Sequence, residues 1–197
     1  MKTLISAFLL SLALISPGVA QTAPPLAEAT PGVAPRPAEW ATPVDPSRNL
    51  YQITPWLYRS TQPEQSDAAW LKKLGIRTII NFRANHKDED VLDLTGVKLV
   101  SIPIDTWNIG DEQIISALHA IEEAKQEGPV LIHCLHGADR TGTVAAMYRI
   151  LEQGWTREQA LRELKQGNYG FRAMWVNIPR YIERANIENL RTRLARE

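Results

Sequence analysis

The amino-acid sequence predicts an α/β domain with a central, mostly parallel sheet of about four to five strands flanked by helices. Short strand-like runs alternate along the chain with segments of helical periodicity, which is typical of a sheet covered by helices. Residues 130–132 are continuously apolar, as expected for a central strand that is buried on both faces. A run of helical patterns follows that strand, and the sequence contains no internal repeat.

The N-terminus has the pattern of a secretory signal peptide over residues 1–20. Lys2 precedes an apolar stretch at 4–15, and small residues end the segment at Ala20. The apolar stretch is shorter than the roughly 18–20 residues of a membrane-spanning helix, so a permanent anchor is the weaker alternative. We therefore expect cleavage after Ala20, a periplasmic or secreted protein, and no membrane association after cleavage.

Composition divides the rest of the chain into three parts. Residues 21–45 are rich in proline and alanine without helical or strand periodicity, which predicts an extended linker. One folded domain is expected over 46–190, followed by a C-terminal tail over 191–197. The 22 basic and 22 acidic residues balance, which argues against a nucleic-acid surface. The sequence does not determine the oligomeric state, and a monomer is expected.

The predicted domain begins with two short strands and a helix. The strands, at 49–53 and 56–59, alternate apolar and polar residues on either side of a turn. Ser66 or Asp67 can cap the helix, and Gly75 ends it.

The following elements supply the rest of the sheet and its covering helices. Strand-like segments at 78–82 and 98–102 should lie in one sheet, with a charged loop or short helix between them. Helical spacing predicts a helix over 111–127, whose acidic first turn suits the positive end of a helix dipole, and 130–132 is the next strand. The remaining predicted elements are helices: one from Thr141 closed by Gly154, one from a capping box at Thr156 to Gly167, and one starting near Trp175.

The chain's one cysteine, Cys134, lies between the apolar strand and the start of a helix. A thiol is mostly protonated at neutral pH unless its surroundings favour the anion. In a tight turn from Cys134 to Arg140, backbone N–H groups can point inward while the following helix directs its positive end at the sulfur. The same groups can bind a phosphoryl group, which predicts a cysteine-dependent phosphatase without metal or other cofactor. The predicted phosphate-binding residues are Leu135, His136, Gly137, Ala138, Asp139 and Arg140.

Arg140, at the end of the loop, and Thr141, directly after it, carry further chemistry. Arg140 can donate two parallel hydrogen bonds to phosphate oxygens and stabilise the charge of the transition state, which lysine would do less well. Thr141 can donate its hydroxyl to the thiolate, both before attack and when the sulfur leaves. Gly137 gives the loop backbone its conformational freedom.

The segment His133-Cys134-x5-Arg140-Thr141-Gly142 resembles the signature of the protein tyrosine phosphatase superfamily, in its small dual-specificity-like branch. The segments Tyr58-Arg59-Ser60-x-Gln62-Pro63 and 136–143 are similar to those of exported bacterial phosphatases of this kind. The resemblance implies a dual-specificity phosphatase fold, a phosphocysteine intermediate on Cys134 and a general acid from a separate loop.

Three aspartates are candidates for further roles at the site. Asp105 follows a predicted strand, where a loop carrying the general acid should lie, and Asp111 is the alternative acid. Each has a simpler structural interpretation, as a turn residue and as a helix cap. Asp139 is expected to pair with Arg59 or another cation and hold the loop geometry, with a direct acid-base role as the alternative.

Histidines beside the cysteine raise the question of a metal site. His133, Cys134 and His136 are a poor ligand set, because adjacent strand residues point to opposite faces and the loop amides already account for a thiolate. We predict no metal, and expect His133 to tune the thiolate through hydrogen bonds of the loop.

The variable positions of the loop contain no lysine, which favours phosphorylated protein side chains over polyanions. We expect hydrolysis of phosphotyrosine, with phosphoserine and phosphothreonine as open possibilities. An inositol-phosphate phosphatase and a catalytically poor phospho-binding module are the alternatives. A module that only captures its ligand has no use for an ionisable nucleophile.

Overall fold

The computed structural model describes residues 35–196. The predicted signal peptide and residues 21–34 of the predicted linker lie outside these residues. In the part described, six strands form one mixed sheet in the order β1-β2-β3-β6-β4-β5. The strands are β1 (Thr42–Asp45), β2 (Leu50–Gln52), β3 (Leu57–Ser60), β4 (Thr78–Arg83), β5 (Lys98–Ile104) and β6 (Val130–His133).

The sheet combines an antiparallel edge with a parallel centre. β1, β2 and β3 pair antiparallel, whereas β3, β6, β4 and β5 run parallel. The helices are α1 (Ala68–Lys73), α2 (Asp111–Lys125), α3 (Asp139–Leu151), α4 (Arg157–Gln166), α5 (Asn177–Arg184) and α6 (Ile187–Leu194). The predicted α/β fold with a mostly parallel sheet is confirmed, with one more strand than the upper prediction.

The central strand β6 divides the core into two layers. Val130 and Ile132 pack into the larger cluster, which α2 to α6 cover, whereas Leu131 packs with Ile79 and Leu71 in a smaller cluster on the other face. These side chains are almost completely buried, and each contributes on the order of 1.5–3 kcal/mol to folding. The continuously apolar run at 130–132 therefore is the buried strand that its composition predicts.

The folded domain begins before the predicted boundary at residue 46. Ala41 donates its backbone N–H to the Glu163 carboxylate at 2.7 Å, and Arg36 donates to the carbonyl of Gly167 at 2.7 Å. β1 then pairs with β2. The linker prediction is wrong for residues 36–45, because contacts with α4 and the sheet hold this segment.

The C-terminal boundary of the domain also differs from the prediction. Residues 191–194 belong to α6, so the predicted tail from 191 is wrong over this stretch. Asn186 caps α6 by accepting from the N–H of Asn189, and Leu190 is completely buried. Among residues 35–196, no helix is long and apolar enough to cross a bilayer.

Local signals at helix ends are accurate elsewhere. The capping box of α4 is present, since Thr156 and Gln159 exchange hydrogen bonds between side chain and backbone. Gly75, two residues after the end of α1, takes a left-handed conformation with φ of 70°. α3 begins at Asp139, two residues before the predicted start, so its first turn contains Asp139 and Arg140.

Candidate active site

The loop from Cys134 to Ala138 joins the carboxyl end of β6 to the N-terminus of α3. Cys134 is a free cysteine with 2% of its surface exposed. Leu135 and His136 are exposed at the outside of the turn, whereas Gly137, Ala138 and Asp139 are buried. Gly137 has a φ of 66°, in the left-handed region that glycine adopts without strain.

Carbonyl groups of the loop are held from outside. Thr61 donates its hydroxyl to the Leu135 carbonyl at 2.7 Å, and Asn49 donates its side-chain amide to the His136 carbonyl at 2.8 Å. Because C=O and N–H point in opposite directions in a trans peptide, these bonds turn the following N–H groups to the inner side of the turn. This arrangement supports the predicted anion-binding nest, and phosphate binding by the loop residues stays a prediction.

Arg59, which is buried, binds a third carbonyl group of the loop. Its guanidinium donates to the Gly137 carbonyl at 2.6 Å and lies 3.7 Å from the ring centre of Tyr169. Burial lowers the pKa of Arg59, and the neighbouring Tyr169 and Glu163 partly offset this effect. From the sequence, Arg59 was expected only as part of the family resemblance and as a candidate partner of Asp139. An arginine inside a short, otherwise buried strand was the signal that could have identified it.

Arg140 leaves the loop toward the ends of the neighbouring strands. One of its terminal nitrogens lies 3.4 Å from the Phe82 carbonyl oxygen and 3.5 Å from that of Ile104. Its side chain lines a cavity of about 280 Å³. Further residues of this cavity are Arg83, Leu135, Asp105, Trp107, Arg172 and Trp175.

The two candidate acids occupy different places. Asp105 follows β5 directly and lines the cavity with Arg140. Asp111 lies at the start of α2 and accepts a hydrogen bond from the Tyr181 hydroxyl at 2.8 Å. Burial and this bond raise the pKa of Tyr181. The geometry thus favours Asp105, while its role as general acid stays a prediction.

Thr141 is completely buried in the first turn of α3. Within residues 35–196 its hydroxyl has no hydrogen-bond partner. It is therefore available to the sulfur or to a bound oxyanion, and the predicted donation to the thiolate stays a prediction.

Asp139 pairs with Arg172, a cation that the sequence did not identify. The Arg172 guanidinium donates to the carboxylate at 2.6 and 2.8 Å, and the backbone N–H of Arg172 donates at 3.0 Å. The alternative pairing with Arg59 is wrong, because Arg59 binds the loop backbone instead. Asp139 therefore holds the segment before α5 against the loop.

His133 faces away from the loop cavity into a buried polar cluster. Its Nε2 lies 2.7 Å from an oxygen of Asp88, and its Nδ1 lies 3.2 Å from the Cys134 carbonyl oxygen. Asp88 was missed, because the sequence showed only a charged stretch there. In the part of the chain that is described, no three or more His, Cys, Asp or Glu residues are placed to hold a metal ion.

A buried cysteine at a strand end, an inward-facing loop and an arginine on the next helix define a cysteine-dependent phosphatase. Residues 45–176 match the family model described as "DSP-PTPase phosphatase fused to NAD+ Kinase", and the chain belongs to this family. It is accordingly a member of the dual-specificity branch of the protein tyrosine phosphatases.

TpbA of Pseudomonas aeruginosa illustrates the similarity in both sequence and structure. The dual specificity protein phosphatase TpbA of strain UCBPP-PA14 is 40% identical over 164 residues, covering 82% of this chain and 74% of TpbA. The crystal structure of a Cys-to-Ser variant of P. aeruginosa TpbA in complex with pTyr has a TM-score of 0.77 and 37% identity, and covers 83% of this chain and all of that chain. A more distant relative, inositol diphosphatase DSP2 of Oryza sativa subsp. japonica, is 32% identical over 55% of this chain and 56% of its own.

Proposed function

We propose that this phosphatase hydrolyses phosphotyrosine on exported or cell-surface proteins, with phosphoserine and phosphothreonine as further substrates, through a phosphocysteine intermediate on Cys134. The observation that carries the proposal is the loop itself. Its carbonyl groups accept hydrogen bonds from Asn49, Arg59 and Thr61, and Arg140 lines the cavity beside it. The dual-specificity relatives and the pTyr complex of TpbA support phosphotyrosine as the substrate.

The geometry suggests two in-line displacements. In the first, the Cys134 thiolate attacks phosphorus, the bond from phosphorus to the tyrosyl oxygen breaks, and Asp105 gives its proton to that oxygen. In the second, Asp105 takes a proton from water as the water oxygen attacks phosphorus, and the bond from phosphorus to sulfur breaks. Inward N–H groups and Arg140 stabilise the equatorial oxygens in both steps. Thr141 is expected to donate its hydroxyl to the departing sulfur.

The decisive experiment is hydrolysis of para-nitrophenyl phosphate by the mature protein in the presence of EDTA. We expect turnover by the wild type and none by Cys134→Ser, which should still bind vanadate as a phosphate analogue. Turnover by Cys134→Ser at the wild-type rate would overturn the mechanism. A folded wild type that binds vanadate without turnover would instead favour the phospho-binding module.

Inositol polyphosphates are a second candidate substrate class. Arg83 and Arg172 line the same cavity as Arg140, so the cavity wall offers more positive charge than the loop sequence suggested. The rice relative is named an inositol diphosphatase. A panel that compares a phosphotyrosyl peptide with inositol hexakisphosphate and a diphosphoinositol phosphate, by kcat/KM, separates the two classes.

Export to the periplasm is part of the same proposal. It rests on the signal-peptide pattern of residues 1–20. N-terminal sequencing of the protein recovered from a periplasmic extract should begin at Gln21. Recovery of the intact N-terminus from the cytoplasm would contradict export.

A further inference from the structure

The loop between β5 and α2, residues 105–110, is bound from the side by the start of α5. Asn177, the first residue of α5, donates its side-chain amide to the Thr106 carbonyl at 2.8 Å, although the two residues are 71 positions apart. Thr106 is 6% exposed and directly follows Asp105. The two displacements described above make no use of this bond.

The bond acts on a turn that begins at Asp105. The Asp105 carbonyl accepts from the backbone N–H of Asn108 at 3.0 Å, so Thr106 and Trp107 are the two central residues of the turn. The Thr106 carbonyl belongs to the peptide between them. Because a peptide unit is planar, a hydrogen bond to this carbonyl fixes the orientation of the whole central peptide. This constrains the backbone of Asp105, from which the carboxyl group projects.

α5 gives the donor a fixed position. Ile178 and Ile182, on the same helix as Asn177, are completely buried in the larger core cluster. The amide nitrogen of Asn177 must face Thr106, because a carbonyl oxygen only accepts hydrogen bonds. A donor on a rigid element thus reaches the backbone directly after the predicted general acid.

The start of α5 and the turn both lie beside the catalytic cavity. Trp175, two residues before Asn177, lines this cavity together with Asp105 and Arg140. For proton transfer, the Asp105 carboxyl must come within hydrogen-bond distance of the leaving oxygen, and a misplacement of about 1 Å can lower the rate about 10²-fold. The efficiency of the acid therefore depends on how firmly the turn is held.

From these contacts we infer that Asn177 is a positioning residue for the general acid. Its bond to Thr106 keeps the turn in the conformation in which Asp105 lines the cavity. Without the bond, the central peptide can rotate toward water, and Asp105 is less often within reach of the leaving oxygen. Asn177 acts through Asp105 and not on the substrate. The inference rests on the proposed function, because it assigns a residue to the general-acid step of the same reaction.

The first test measures the dependence of rate on the leaving group, which a general loss of stability does not change. We expect Asn177→Ala to lower kcat/KM about 10-fold for phenyl phosphate and far less for dinitrophenyl phosphate, because only the poor leaving group needs the proton. The ratio of the two values is the readout. A wild-type ratio in folded Asn177→Ala would overturn the inference.

Asn177→Asp provides a second variant in case Asn177→Ala does not fold. Aspartate has almost the shape of asparagine and suits the positive end of α5, but its carboxylate cannot donate to the Thr106 carbonyl. Its negative charge is expected to slow both substrates, and the ratio should change as in Asn177→Ala. An unchanged ratio in this variant would likewise contradict the inference.

A double variant shows whether Asn177 acts through Asp105. When Asp105→Asn is already present, Asn177→Ala should lower kcat/KM for phenyl phosphate by less than about 2-fold further, because no acid is left to position. Losses that multiply would overturn the inference. Failure of the proposed function gives a different result, since Asp105→Asn alone would then show no leaving-group dependence or the wild type would have no turnover.

Tyr181→Phe is the matched control on the same helix. The Tyr181 hydroxyl donates to Asp111 at the start of α2, beyond the turn. Its removal should lower Tm and leave the ratio of the two kcat/KM values as in the wild type. The same change of ratio in Tyr181→Phe and Asn177→Ala would assign the effect to the docking of α5 as a whole, and would overturn a specific role for Asn177.

Discussion

The Arg172 guanidinium lies 2.6 Å from the carboxylate of Asp139, and this ion pair joins the segment before α5 to the catalytic loop. Asp139 is buried, whereas nearly half of the Arg172 side chain is exposed and lines the cavity that contains Arg140. An acidic residue inside a phosphate-binding loop is therefore neutralised locally. Its charge positions a cavity wall and does not oppose the substrate.

We expect Asp139→Asn to lower kcat/KM for para-nitrophenyl phosphate about 10-fold, because a hydrogen bond to a charged group contributes about 1.5–3 kcal/mol. Arg172→Gln should cause a similar loss, and the double variant should lose little more than either single variant. Multiplying losses would show that the residues act independently. A loss confined to poor leaving groups would instead assign Asp139 an acid-base role.

The general acid is tested by the dependence of rate on the leaving group. Asp105→Asn should slow hydrolysis of phenyl phosphate about 10²-fold or more, and that of an activated aryl phosphate far less, because only a poor leaving group needs the proton. Asp111→Asn is the matched control, since it removes the carboxyl group and weakens the hydrogen bond from the Tyr181 hydroxyl, which the amide oxygen can still accept. That variant should show a lower Tm and a nearly normal rate. The same leaving-group dependence in Asp111→Asn, with none in Asp105→Asn, would reverse the assignment.

Much of the fold is predictable because its signals are local. The apolar run at 130–132, the capping box at Thr156 and the glycine after α1 each act within a few residues, and each appears where the sequence indicates. β1 carries no such signal, since its four residues are mostly exposed. It is held by pairing with β2 and by the bond between Ala41 and Glu163, which are 122 residues apart.

The same distinction applies to the site. The nucleophile, the loop and Arg140 form one contiguous motif, so the sequence alone identifies them. The partners that hold this motif are distant in the chain: Arg59 is 78 residues from Gly137, Asp88 is 45 residues from His133, and Arg172 is 33 residues from Asp139. Without the topology that brings β3, β4 and α5 to the loop, no local pattern identifies them.

The left-handed turn at Gly137 yields a prediction with a matched control. A Cβ at Gly137 would overlap the carbonyl of Ser60, whereas a Cβ at Gly154, which has a similar φ of 71°, meets nothing within 4 Å. Both Gly→Ala variants should lose about 1 kcal/mol or more through backbone strain. Only Gly137→Ala should also lose most of its activity, measured as kcat/KM beside urea unfolding. Wild-type activity in Gly137→Ala would show that the loop tolerates displacement.

Acid stability should depend on the buried Glu163. Burial would raise the pKa of Glu163, but two hydrogen bonds from Arg149, the N–H of Ala41 and the Tyr169 hydroxyl lower it below its usual value. A carboxyl with a lower pKa in the folded state stabilises the fold above its unfolded pKa of about 4.3, and this contribution is lost as pH falls through the folded pKa. We therefore expect the unfolding free energy of the wild type, measured by urea titration, to decline below about pH 4, near the unfolded pKa.

The variant Glu163→Gln tests this expectation. Its unfolding free energy at pH 7 should be lower than that of the wild type by about 3–5 kcal/mol, because Arg149 is left buried without its carboxylate partner. The unfolding free energy of this variant should then decline less steeply in acid. Glu122→Gln, which removes an exposed ion pair with Lys125, should leave the acid slope as in the wild type. The same acid slope in Glu163→Gln and wild type would place the acid-sensitive group elsewhere, with Asp88 as the next carboxylate to replace.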